Sequence, residues 1–136
     1  QLIAAWPVLS QTTTSPLLKE LCNQCIAANS IHLERLQKIP AMLSRQQTTI
    51  SCSAVTVIIA TTNNFSSVAN ADDAVTITAL KLLHYFIASY QGLLMMANVL
   101  QLPGVTMLLN ETLSELNDTV NKLSHITLAG ASNNHR

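Results

Sequence analysis

The strongest constraint on this chain is a pair of apolar stripes separated by one Pro-Gly step. Val75, Ala79, Leu82, Phe86, Tyr90, Leu93, Ala97 and Leu100 recur at intervals of three and four, the period of one face of an α-helix. Val105, Leu109, Leu113, Leu116, Val120 and Leu123 repeat the pattern after Gln101-Leu102-Pro103-Gly104. The step predicts a tight turn that folds two long helices antiparallel, with a seam around Phe86, Leu93, Leu109 and Leu116. Asn70 and Asp72 supply capping and dipole-compatible groups where the first of these helices starts. With only 3 Gly and 4 Pro in 136 residues, breaks are few and the remaining elements must be long as well.

Toward the front, Ser15-Pro16 reads as an N-cap followed by proline at the first helical position. Leu18, Cys22, Cys25, Asn29, His32 and Leu36 then share one face, which predicts a helix to about Leu43 with a disturbance at Pro40. Leu2, Trp6 and Leu9 have helical spacing and read as the tail of a first helix, with Pro7 as a defect. Residues 48–62 are ambiguous. Their run Val55-Thr56-Val57-Ile58-Ile59 favours a strand on propensity, but a lone strand has no partner in this company, so a short helix is expected. Residues 61–70 read as a polar loop. Striped helices with short connections bury their stripes against one another, so the expectation is an all-α antiparallel four-helix bundle with a short additional helix. One domain covers residues 1–128, and 129–136 form a frayed tail.

Composition narrows the function. Apolar residues make up 49% of the chain and charged ones 10%, so polarity comes from 45 Ser, Thr, Asn and Gln residues rather than from 14 charges. That apolar fraction excludes a disordered chain, and the zero net charge removes the basic footprint that nucleic acid or an anionic membrane surface would require. No apolar run reaches the length of a membrane span, because His84, Ser89, Gln91 and Asn98 interrupt the longest. Three cysteines, Cys22, Cys25 and Cys52, are an odd number without regular spacing, which argues for a reduced, cytoplasmic setting over a disulfide scaffold.

Leu83-His84-Tyr85-Phe86-Ile87-Ala88-Ser89-Tyr90, followed by Leu108-Leu109-Asn110-Glu111-Thr112-Leu113-Ser114-Glu115, resembles the YciE/YciF-type ferritin-like proteins, bacterial and stress-associated, whose biochemical role is unknown. That family reads roughly E-H-Y-E-I-A-x-Y and then L-L-x-x-T-L-x-E-E at the same spacing. The likeness extends to Thr14-Ser15-Pro16-Leu17, Leu33-Glu34-Arg35-Leu36 and Cys52 with Ala54, nearly the whole chain. It places Gln1 partway along the family's first helix, so an N-terminal half-helix is expected upstream.

The resemblance implies a ferritin-like bundle, often dimeric, whose ancestors held two metal ions on inward carboxylates and histidines. This sequence departs from that pattern. Leu83 and Phe86 stand where the family has glutamates beside the third-helix histidine, Leu116 replaces a second glutamate after the one matching Glu115, and Val120 replaces an aspartate. The acidic pair of the second helix falls on Ala27 and Ala28, while His32 matches a histidine of some members. His84, Glu115 and His32 are therefore the residual metal-ligand candidates. Each also has a plainer reading, as a hydrogen-bonded core histidine or a half-solvated carboxylate. Two explanations of the departures stand side by side: genuine loss of the site, with no cofactor, or carboxylates in the natural chain at the positions written here as Phe86 and Leu116, with iron or manganese bound.

Cys22 and Cys25 form a CxxC on one helical face, but a redox motif wants a preceding strand and a zinc site wants two more ligands, so buried small residues are expected. Glu111 and Glu115 stand one turn apart, as surface glutamates often do. Asn64-Phe65-Ser66, Asn110-Glu111-Thr112 and Asn117-Asp118-Thr119 fit the glycosylation pattern, but two of the three fall within a helical stripe, which makes chance the better explanation. No phosphate loop, GxSxG elbow or HExxH occurs. The expectation is a non-enzymatic structural or stress-associated protein that self-associates into a dimer or larger assembly. Low charge favours this, because little repulsion keeps copies apart. The rival expectation is a di-metal protein. A third is a helical subunit docked in a larger assembly through exposed residues such as Met95 and Met107.

Overall fold

The computed structural model describes residues 5–42 and 71–133, and the expected short helix within 48–62, the loop at 61–70 and the capping role of Asn70 lie outside them. Within the described residues there are four helices and no strand: α1 (Ala5–Thr12), α2 (Pro16–Met42), α3 (Ala71–Val99) and α4 (Pro103–Asn133). α1 and α2 form one antiparallel hairpin, α3 and α4 the other. The start of α3 lies against the α1–α2 turn, so α2 and α3 enter the bundle from the same end and run parallel.

Ser15 caps α2 as its sequence predicts. Its carbonyl accepts from the Lys19 amide at 2.9 Å and its hydroxyl from the Leu18 amide at 3.4 Å, with Pro16 in the first helical position. The helix continues through Pro40 to Met42. Its buried face carries Leu18, Cys22, Cys25 and His32, four members of the predicted stripe. Asp72 does more than favour the positive end of α3. Its carboxylate accepts from the Thr13 hydroxyl at 2.6 Å, the Thr14 amide at 2.7 Å, the Thr14 hydroxyl at 2.8 Å and the Ser15 amide at 3.2 Å. Burial opposes its ionisation, but these donors outweigh that and hold the carboxyl below the usual range.

The seam between α3 and α4 is the most extensive helix pairing. Phe86, Leu109 and Leu116 are buried there as expected, but Leu93 is 44% exposed. Beyond Tyr90 the buried edge of α3 passes to Leu94 and Ala97. The Pro-Gly step is not the turn. Leu100, Gln101 and Leu102 make it, and Pro103 opens α4 in the position where its missing N–H costs nothing. Gln101 takes φ 54°, the Leu102 amide bonds the Ala97 carbonyl at 3.0 Å, and the Gln101 amide bonds the Asn98 carbonyl at 3.1 Å, a Schellman C-cap built without glycine. α4 runs past Leu128 to Asn133, and residues 134–136 of the expected tail lie outside the described residues.

Candidate functional site

Midway along the bundle, α2 and α4 are joined by a charged cluster. His32 is buried, and its Nε2 lies 2.8 Å from Glu115 Oε2; with the carboxylate ionised, the ring nitrogen is the donor. One turn along the same face, Arg35 engages the same carboxylate with two parallel bonds, Nη1 to Oε2 and Nη2 to Oε1, both 2.9 Å. Arg35 Nη1 also reaches the Thr112 hydroxyl at 3.3 Å, and Nη2 stands 3.5 Å from Glu111. The Tyr90 ring closes the inner side edge-on to His32, with ring centres 6.4 Å apart.

The electrostatics follow from this geometry. The Arg35 hydrogen bonds hold the Glu115 carboxyl below the usual carboxylate range against an opposing burial effect, with His32 adding to the same side. Arg35 is in turn driven above its ordinary range, first by the bond to Glu115. Burial pushes the Tyr90 phenol up to about 12. A carboxylate with both oxygens engaged by a guanidinium, and a histidine on one of them, is a structural crosslink. Its charge is already matched, which makes it a poor base and a poor ligand.

Of the three residues singled out as metal ligands, the structure brings His32 and Glu115 together and puts His84 on the exposed outer face of α3. His84 lies two residues from both Leu82 and Phe86, about 160° around the helix from each, and so faces solvent. Arg35 was not foreseen as a member of the site, although its place three residues after His32 puts both on one face.

A second feature lies beside this cluster. Ala28 from α2, Leu83 and Phe86 from α3 and Leu116 from α4 line one cavity together with His32. These are four of the positions at which the ferritin-like resemblance leads one to expect carboxylates. Their convergence from three helices supports the register of that resemblance. As written, however, they offer only hydrocarbon to a metal ion. Among the described residues no group of three or more His, Cys, Asp or Glu side chains is placed to hold a metal. The residues present do not fit a di-metal centre. Cys22 and Cys25 are free, buried thiols that burial pushes up to about 11 and about 12, far from the reactive thiolate state.

The structure resembles that of the E. coli stress protein YciF, with a TM-score of 0.90 and 25% sequence identity over 97% of this chain and 86% of that one. It also resembles YcfI from Rhodopseudomonas palustris, provisionally described as structural, with a TM-score of 0.86 and 23% identity over 91% of this chain and 82% of that one. No curated protein matches the chain. Among the described residues no helix is long and apolar enough to cross a membrane. The model of one family of unknown function, DUF892, matches residues 1–135, and the chain belongs to that family.

Proposed function

We propose that this protein is a non-enzymatic, ferritin-like structural bundle of the stress-associated kind, which has given up metal chemistry and works by self-association. The observation that carries the reading is an exposed apolar cluster at the end of the bundle where α3 meets α4. Met95, Met96 and Val99 in the last turns of α3, Leu100 in the turn that follows and Met107 in the first turns of α4 are all more than half exposed. Apolar surface gathered at one place marks an interaction site, and a chain of zero net charge offers little resistance to meeting its own copy. The resemblance to a stress protein and to a protein described as structural supports the same reading, and free buried thiols suit a reducing compartment such as the cytoplasm.

Light scattering coupled to size exclusion tests it. A dimer or larger species is expected at micromolar concentration, and the double substitution Met95→Lys with Val99→Glu should release monomer. A wild-type chain that is monomeric throughout would end the proposal. The di-metal alternative draws on the convergence of Ala28, Leu83, Phe86 and Leu116 on one cavity. Peptide mapping and metal analysis of one sample from the natural source decide it. Stoichiometric iron or manganese together with carboxylates at those positions would restore the metal centre.

A further inference from the structure

The cavity lined by Ala28, Leu83, Phe86 and Leu116 has a volume of about 10 Å³. One water molecule needs roughly 10–15 Å³ on the same measure, together with two to four polar partners. The wall supplies them. Asn29 lines the cavity, and its buried Nδ2 has no hydrogen-bond partner among the described residues. An amide donor stranded in an interior is unfavourable, and buried amides that lack a protein acceptor are commonly satisfied by an internal water. Two acceptors complete the set. The Thr119 hydroxyl donates to the Glu115 carbonyl at 2.9 Å and keeps its lone pairs, while the neutral His32 ring that donates from Nε2 to Glu115 carries a lone pair on Nδ1.

We propose that the centre of the bundle binds one long-lived water, which accepts a hydrogen bond from Asn29 Nδ2 and gives its own to the His32 ring and the Thr119 hydroxyl. The inference rests on the metal-free reading given above. It assigns a ligand to the space that a di-metal centre would fill, and it makes Asn29 the residue that holds that ligand. Through the ring nitrogen the water also fixes the His32 tautomer that donates to Glu115, so the cavity and the charged cluster form one network. Trp6, Leu83, Phe86 and Leu116 add hydrocarbon to the rest of the lining.

The test reads water directly. In the folded wild-type protein, a water-to-protein nuclear Overhauser effect on the Asn29 side-chain amide protons is expected. Oxygen-17 relaxation dispersion should count one long-lived water fewer in Asn29→Leu, a substitution of similar shape that removes the donor. Should that variant fail to fold, Thr119→Val serves the same count, and the wild-type effect needs no variant at all. No effect at the Asn29 amide protons, or equal water counts in folded wild type and variant, would overturn the proposal. Metal analysis of the same sample separates the two ideas: a metal-free protein without the water refutes this inference alone, whereas stoichiometric metal refutes the reading on which it rests.

Discussion

Replacing Asp72 by Asn isolates one charge at the junction of the two hairpins. The carboxylate accepts four hydrogen bonds, from the hydroxyls of Thr13 and Thr14 and from the amides of Thr14 and Ser15, at 2.6 to 3.2 Å. Hydrogen bonds to a charged group contribute about 1.5–3 kcal/mol each, but at this half-exposed position water can satisfy the two amides, so the lower end applies. Asparagine keeps one acceptor oxygen in place and loses the charge, together with about 0.3–1 kcal/mol of interaction with the α3 dipole. The expected loss is about 2–3 kcal/mol, a substantial share of a typical domain's stability of about 5–15 kcal/mol. Urea unfolding followed by circular dichroism measures it. The pH dependence has a fixed sign. The folded carboxyl is depressed below its ordinary value of 3.8, so its contribution is complete above that value and disappears as pH falls through the lower, folded one. The gap between wild type and Asp72→Asn should therefore be full at neutral pH and close in strong acid. A loss under about 0.5 kcal/mol at pH 7, the scale of an ordinary surface substitution, or a gap that survives strong acid, would show that the four contacts do not act as a clamp.

Other consequences are equally direct. Gln101→Gly should stabilise the protein by about 0.5–1 kcal/mol, because an L-residue in the left-handed region costs about 1–2 kcal/mol and glycine returns part of that gain as extra freedom in the unfolded chain. Calorimetry showing a lowered Tm would contradict the C-cap assignment. Glu115→Gln should cost about 1–2 kcal/mol, more than most exposed pairs because the Arg35 contact is doubled, and a denaturation midpoint matching wild type would count against the crosslink. In a Cys52→Ser background, Cys22 and Cys25 should resist a thiol reagent at pH 8 until the protein unfolds, and modification of the native state within minutes would show that these thiols are more accessible than their burial indicates.

The helices were legible wherever burial follows a single unbroken face. From Val105 to Leu123 the period alone picks out the inner side of α4, and Ser15-Pro16 announces the start of α2 in local chemistry. Leu93 escaped because the buried edge of α3 shifts after Tyr90, and in a stretch this rich in Leu and Met, hydropathy cannot distinguish the inner residue from the outer. The Pro-Gly pair misled for a different reason: proline is at home both in a turn and in the first helical position, and a non-glycine residue had taken the left-handed conformation just before it. The charged cluster was half visible. His32 and Glu115 are 83 residues apart, so only the family resemblance nominated both, while Arg35 shares a face with His32 and could have been found by spacing. Asp72 looked like a helix-start residue because its partners lie 57 to 59 residues away, where no local signal reaches.

Trp6, the single tryptophan of the chain, lines the cavity beside residues from the three other described helices and is almost fully buried. Its indole is therefore a built-in optical probe of the bundle's centre. Fluorescence reads the packing of all four described helices at one point, and any event that opens that point to water shows as a red shift of the emission.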